Sequence, residues 1–357
     1  MYSGLSVEQE NALRSRLACY PGLTLKNLVC LFDYDLTMAK KKNPKDFDDA
    51  PLERGQHGFF ADFSRKVGGV IVQTARGEAS TEDYLKQSDH VEEFGSLENV
   101  FLASNSGHLW RGNIAENVES TFITIPGYED DAEKLDQVID GIHSVLDDIK
   151  AMTDARPELY PLLKVDKREK CGAVIFQIDG EEESALVKSF FEQTNTLIAQ
   201  LPKDIAACVT QASKKTPVML ADGRVQTQGY IDFKPQGMDK GYTTRKILTE
   251  FYPLDRKDVL IVAGDSNSDY PMMKIANELV KQGKIRGAIC IDVGGQIDDK
   301  HHVIDFVLDP DGVDKKERQH DAIDRFYGLL SATRDILPYP VRKDPNYQYR
   351  ISYVPRA

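Results

Sequence analysis

The sequence predicts an α/β protein built on a doubly wound parallel sheet, with a separate α+β domain inserted into it. Three observations carry this. Continuous apolar runs of strand length recur in the first and last thirds of the 357-residue chain, the pattern of strands buried on both faces. Amphipathic stretches of helical spacing fall between several of them. The middle of the chain changes character, and a chain this long is better divided than built around one core.

The strand-like runs are LVCLF (28–32), GGVIVQT (68–74), VFLAS (100–104), VLIVAG (259–264), GAICIDV (287–293) and DFVL (305–308). Helical patterns cover 57–67, 240–251, 268–281 and 312–331. From 116 to 158 acids outnumber bases, and Leu135, Val138, Ile139, Ile142, Leu146, Ile149 and Met152 form one helical stripe. A strand pattern follows at 171–178. Then comes a second stripe of Leu186, Val187, Phe190, Phe191, Leu197 and Ile198, with short strands near 205–210, 217–220 and 230–233. These elements make the inserted domain, placed at 112–234; the sheet domain takes 1–111 and 235–357. The Tyr- and Pro-rich end, 339–357, reads as a packed extension.

Composition excludes several classes of protein. The five cysteines are scattered with no CxxC pair, which argues against a disulfide framework and for a reducing, cytoplasmic setting. No apolar run reaches the roughly 18 residues a membrane span needs. The polar first residues lack the apolar centre of a secretory signal. A formal net charge of −12 disfavours nucleic acid, whose binding rests on neutralising phosphates.

Polar groups cluster where four strand runs end: DYDLT, TARG, SNSGH and GDSNSD. Ligands of open parallel sheets bind beyond those carboxyl ends. Asp33, Asp35, Asp265 and Asp269 would bring four negative charges together, a costly set unless a cation offsets it. All-oxygen donors of this kind suit Mg²⁺. Thr74 and Lys240 would then face an anion with several oxygens, and phosphate fits. One Asp of the first pair would attack phosphorus; the other would protonate the leaving oxygen and later deprotonate water.

These four motifs, in this order, resemble those of the haloacid dehalogenase (HAD) superfamily of phosphatases over about 33–80 and 237–310. The first is Asp33-Tyr34-Asp35-Leu36-Thr37, the second Thr74-Ala75-Arg76, the third Lys240, and the fourth Gly264 to Asp269. The resemblance implies a HAD-like Rossmannoid core with a C2-type cap in the position of the insertion. It implies Asp33 as nucleophile and Asp35 as general acid and base. Thr74, Ala75 and Lys240 would hold the phosphoryl group. Mg²⁺ would lie on Asp33, Asp265 and the backbone carbonyl of Asp35, supported by Asp269 and Asn267. Ala75 stands where the family usually has Gly, and Ser268 where capped relatives usually have Asn.

The layout is similar to that of trehalose-phosphate, sucrose-phosphate and Cof-type phosphatases. Where the trehalose-phosphate enzymes carry a Lys and then His-Tyr-Arg, this chain has Arg168 and then Ile175, Phe176 and Gln177. Arg76, His108, Lys164 and Arg168 are candidates for contact with substrate, and the basic loop 40–45 for the rim of the site. The expected function is a Mg²⁺-dependent phosphomonoesterase acting on a small phosphorylated metabolite, a sugar phosphate foremost. The competing readings are a phosphotyrosine protein phosphatase and a binding module that kept the fold without turnover.

Overall fold

The computed structural model describes residues 5–40, 51–86, 97–116, 118–160, 162–219, 223–299, 302–308 and 315–339. Most of the basic loop, 41–50, and the tail from 340 lie outside them. In chain order the elements are α1 (Val7–Ala18), β1 (Leu28–Phe32), α2 (Arg54–Lys66), β2 (Gly69–Gln73), α3 (Glu78–Lys86), β3 (Val100–Ser104), β4 (Leu109–Asn113), β5 (Thr121–Phe122), α4 (Ala132–Asp154), β6 (Leu162–Lys167), β7 (Gly172–Asp179) and α5 (Ala185–Gln200). There follow α6 (Lys203–Ala206), β8 (Val209–Met219), β9 (Val225–Pro235), α7 (Lys240–Lys246), β10 (Val259–Gly264), α8 (Tyr270–Lys281), β11 (Gly287–Asp292), β12 (Phe306–Val307) and α9 (Lys315–Ile336). The chain divides into two units, Met1–Ile123 with Asp239–Ala357, and Thr124–Met238.

The first unit is an eight-stranded sheet in the order β12-β11-β10-β1-β2-β3-β4-β5. Its first six strands pair in parallel. Every residue of β1, β2, β3, β10 and β11 is buried, which is why these segments read as unbroken apolar runs rather than alternating ones. One face packs Phe32, Phe60, Phe63, Phe326 and Tyr327 in a single cluster; the other packs Leu31, Ile71, Phe101, Tyr252 and Met272. The helical pattern at 240–251 divides in two: α7 gives way to a π-helical turn over Ile247–Phe251, closed by Tyr252 N donating to Ile247 O at 2.7 Å.

The second unit is a four-stranded antiparallel sheet, β6-β7-β9-β8, with α4 and α5. Phe176 of β7 meets Phe190 and Phe191 of α5, at ring-centroid distances of 5.4 and 5.5 Å. Strand alternation therefore turns Val174 and Ile178 to the same side as Phe176, and Ala173, Ile175 and Gln177 to the other. The short strands expected near 205–210, 217–220 and 230–233 are instead two eleven-residue strands paired from Val209↔Pro235 to Met219↔Val225.

The units divide at 123/124 and 238/239 rather than at 112 and 235. Sheet pairing explains the first difference: β4 and β5 extend the large sheet antiparallel, Ser104 facing Leu109 and Trp110 facing Thr121. The second follows from β9, which runs on to Pro235, with Gln236 N bonded to Cys208 O and Met238 N to Pro235 O.

Candidate active site

The parallel register brings the ends of the central strands to one edge. Phe32 pairs with Ala263 on one side and Val72 on the other, and Gln73 pairs with Ala103. Asp33, Thr74 and Asp265 each follow a strand that ends there. Asp33 N prolongs the ladder by donating to Ala263 O at 3.0 Å.

Carboxylate oxygens of Asp33, Asp265 and Asp269 lie within 4.8 Å of one another, and all three residues are buried. Lys240 Nζ, itself buried, donates to Asp33 Oδ1 at 2.7 Å and to Asp269 Oδ1 at 2.6 Å. The second oxygen of Asp269 folds the fourth motif around itself: it accepts from Asp265 N, Ser266 N and Ser266 Oγ at 3.2, 3.1 and 3.0 Å. Gly264 is required beneath it, since a Cβ there would overlap the Asp269 side chain.

Burial pushes the Asp33 carboxyl above its ordinary pKa, and the neighbouring charge of Asp269 adds to the shift against the pull of Lys240. Burial alone would lower Lys240, yet Asp269 and Asp33 together hold its ammonium above the usual range. Lys240 pairs with two of these three carboxylates, Asp33 and Asp269. Ionising all three in a buried site is costly, and a cation there would offset the charge. The all-oxygen donor set fits Mg²⁺.

Asp35 does not join this cluster. Arg76 holds its carboxylate in a two-point pair, Nε to Oδ2 at 2.7 Å and Nη2 to Oδ1 at 2.5 Å. Arg76 also lies over the Tyr84 ring at 5.1 Å. Thr74 is fully buried, and its hydroxyl accepts from Arg76 N at 3.2 Å; Ala75 between them is half-buried. The turn after Asp35 is tight: Tyr34 O accepts from Met38 N and Ala39 N, and Leu36 takes a left-handed φ of 58°.

Three candidates stand elsewhere than expected. Asn267 is exposed and accepts from Asp298 N at 2.8 Å, so it fastens a neighbouring loop rather than a metal shell. His108 is wholly buried between Ile123 O, 3.0 Å from Nδ1, and Asp239 N, 3.2 Å from Nε2. It is a structural bridge rather than a pocket wall. In the second unit Arg168 bonds Asp166 at 2.7 Å and approaches Asp232 at 3.7 Å, a charge pair that fixes the end of the β6–β7 hairpin. Lys164 is exposed on β6, in one cross-strand row with Ile175 and Tyr230.

The structure also brings in residues that the motifs did not mark. Gln73, the last residue of β2, donates to Lys240 O at 2.9 Å and Thr243 Oγ1 at 2.7 Å, and accepts from Thr244 Oγ1 at 2.8 Å. On the other side Gln319 of α9 donates to Leu36 O at 2.8 Å, and Tyr327 to Met38 O at 3.0 Å. The only sequence signal for Gln73 was an amide at the end of an apolar strand.

A family model of haloacid dehalogenase-like hydrolases matches residues 177–281. Among solved structures, the C-terminal domain of trehalose-6-phosphate phosphatase from C. albicans aligns with 15% identity and a TM-score of 0.55, covering 93% of this chain and 98% of that one. A trehalose-6-phosphate phosphatase related protein aligns with 16% identity and a TM-score of 0.46, over 86% and 99%. No curated protein matches the sequence. The fold is HAD-like, as in the trehalose-6-phosphate phosphatase domain, and the sequence match to HAD-like hydrolases is confined to 177–281. No described helix is long and apolar enough to cross a membrane.

Proposed function

We propose that this chain is a Mg²⁺-dependent phosphomonoesterase that hydrolyses a small phosphorylated metabolite, a sugar phosphate, through an aspartyl phosphate on Asp33. The observation that carries the reading is the buried meeting of Asp33, Asp265 and Asp269 with Lys240 at the carboxyl edge of the sheet. Asp33, Asp265 and the Asp35 backbone carbonyl would hold the ion, with Asp269 behind them. When bound, Mg²⁺ supplies positive charge to the transferring phosphoryl group.

The protein's own groups divide the remaining work. Lys240 donates to Asp33 Oδ1, and a carboxylate oxygen of Asp33 is the attacking atom. Asp33 bonds to phosphorus as the ester P–O bond breaks, and Asp35 gives its proton to the leaving oxygen. Asp35 then takes a proton from water as the water oxygen attacks phosphorus, releasing phosphate and free Asp33. Arg76 holds both Asp35 oxygens, so proton donation from Asp35 requires the guanidinium to move off. Thr74 and the main chain at Ala75 border the phosphoryl group, and Lys240 stabilises its developing charge.

Substrate choice belongs to the second unit in this reading. Its sheet face opposite α5 presents Lys164 and Tyr230, a cation and a hydroxyl suited to a hydroxyl-rich phosphate ester, beside the buried Gln177, whose amide donates to Gln226. The sugar-phosphate assignment also draws on the trehalose-6-phosphate phosphatase whose fold the chain shares. The test is phosphate release from a panel of sugar phosphates, nucleotides, phosphoamino acids, a phosphotyrosine peptide and an aryl phosphate. Each is run with Mg²⁺, with EDTA and with Asp33→Asn. Release that requires Mg²⁺ and is lost in the variant supports the mechanism, and the preferred substrate separates metabolite from peptide. No release from any of them overturns the reading in favour of a binding module.

A further inference from the structure

We infer that Gln73 and His108 are positioning residues for Lys240: they grip the main chain at the start of α7 from two sides and so deliver the ammonium between Asp33 and Asp269. The inference rests on the catalytic reading above for its kinetic consequence, but not for its structural one.

The Gln73 amide bonds through both its donors and its oxygen. One N–H goes to Lys240 O, the other to Thr243 Oγ1, and the carbonyl takes the Thr244 hydroxyl. Both donors and the carbonyl oxygen are thus engaged by three residues of one helical turn. Gln73 is fully buried, where an unmade hydrogen bond costs more than a made one contributes. The amide therefore has one favourable orientation, and the turn has one favourable position against β2. Thr74 is the next residue, so the same strand end sets both the second and the third motif.

His108 acts on the residue before Lys240. A backbone carbonyl can only accept and a backbone N–H can only donate. Nδ1 therefore carries the proton toward Ile123 O, and Nε2 accepts from Asp239 N. The neutral ring lies 12° from parallel to the Tyr242 ring, with centroids 6.2 Å apart, which fixes its plane against α7 itself. Ile123 and Asp239 are the residues at which the chain leaves and re-enters the sheet unit. One imidazole thus fastens both crossings to the turn that carries Lys240.

The hairpin between β3 and β4 is shaped to leave room for this grip. Asn105, Ser106 and Gly107 all have left-handed φ, at 50°, 57° and 90°. A Cβ on Gly107 would overlap both the Gln73 amide and the Thr243 hydroxyl. Two consecutive non-glycine residues in that region cost the backbone energy. Compensating bonds hold them there: Asn105 N to Arg76 O at 2.7 Å and Ser106 N to Thr74 O at 2.8 Å.

The test uses the full chain and three variants, Gln73→Leu, His108→Gln and His108→Asn, with circular dichroism and melting to confirm folding. Two readouts are taken. Hydrogen–deuterium exchange follows the amides of 239–246, with 265–269 as the internal control. Kinetics with an aryl phosphate and Mg²⁺ separate kcat from KM.

Gln73→Leu is expected to speed exchange at 239–246 at least about tenfold, leave 265–269 within about twofold, and lower kcat by about 30-fold with KM within about threefold. The histidine pair separates the two ring nitrogens. Gln has an acceptor at the position of Nε2, whereas Asn reaches only the position of Nδ1. His108→Gln is therefore expected to keep the Asp239 amide protected and most of kcat, and His108→Asn to lose both.

Unchanged exchange at 239–246 in Gln73→Leu would overturn the grip. Faster exchange with unchanged kcat would overturn the positioning role, as would equal behaviour of the two histidine variants. Exchange needs no substrate. A wild-type chain that releases no phosphate would therefore count against the catalytic reading alone, and the exchange data would still decide on the grip.

Discussion

The charged residues of the two units are arranged on opposite principles. At the sheet edge, Asp33, Asp265 and Asp269 come together from distant parts of the chain, buried, with one lysine among them. In the inserted unit the basic residues around the β6–β7 hairpin pair with exposed or half-exposed acids: Arg168 with Asp166, Lys167 with Asp147 at 2.6 Å, and Lys170 with Asp136 at 4.0 Å. Those acids keep water, so charge in the inserted unit costs little to hold. Three buried carboxylates around one ammonium are costly when all are ionised, and a bound cation or a proton on Asp33 would relieve them. That contrast separates chemistry from scaffold more sharply than the number of acids, which is high in both regions.

The largest expected effect breaks the edge cluster at its centre. Asp33→Asn keeps volume and hydrogen-bonding capacity but removes the nucleophile. Phosphate release should fall by at least about 10⁴-fold while the melting temperature holds or rises, because one repelling charge has gone. A variant with more than about a hundredth of wild-type turnover would sink the covalent step. Asp35→Asn should cost less, about 10²–10⁴-fold, and should be measured beside it in the same assay.

Metal addition sharpens the same contrast without any substrate. Mg²⁺ at the proposed site would bind the folded protein and not the unfolded chain, so saturation at about 100 times Kd should stabilise the protein by about 2.7 kcal/mol. That gain is seen as a rise in melting temperature that EDTA reverses. Asp265→Asn should abolish most of the gain. Equal Mg²⁺ stabilisation of wild type and Asp265→Asn would place the ion elsewhere.

The edge chemistry was legible in the sequence because its signals are local. Asp33 and Asp35 sit two apart behind a buried strand, and Gly264 to Asp269 repeats the theme behind another. What holds these groups was not legible. Gln73 meets partners 167–171 residues away, and nothing at either end of that distance announces the other. His108 looked like a pocket residue because it follows a strand near the edge; its burial between two backbone groups is a tertiary fact. Strand β6 was missed because its mixed LLKVDK pattern suits an edge strand, which needs no continuous apolar run. The inserted unit's boundaries slipped because β4 and β5 turn back antiparallel, where sequence alternation says little about which sheet they join.

A change in the inserted unit should move stability rather than chemistry. The Arg168 side chain is only 10% exposed, and Arg168→Met strands two partly buried carboxylates, Asp166 and Asp232. The cost should be about 1–3 kcal/mol, below the range for fully buried pairs because both acids retain water. It would be read by urea denaturation, with kcat on an aryl phosphate within about threefold. Large loss of turnover at unchanged stability would instead make Arg168 a substrate contact.

The smallest effect is expected at Lys164, and it is the sharpest probe of the inserted unit's role. Lys164 is exposed, so its loss should leave melting unchanged, as surface substitutions do. An exposed cation facing an anionic ligand is worth about 0.2–1 kcal/mol, a factor of roughly 1.4–5 in affinity. Lys164→Met should therefore raise KM for the preferred phosphate ester within that range and leave kcat alone, the signature of binding felt equally by ground and transition states. The increase should shrink in 0.5 M salt, since screening weakens an exposed charge. A fall in kcat would carry the chemistry into the inserted unit and erase the contrast between the two regions. An unchanged KM for every ester in the panel would remove Lys164 from recognition and leave Gln177 and Tyr230, on the same sheet face, as the groups to change next.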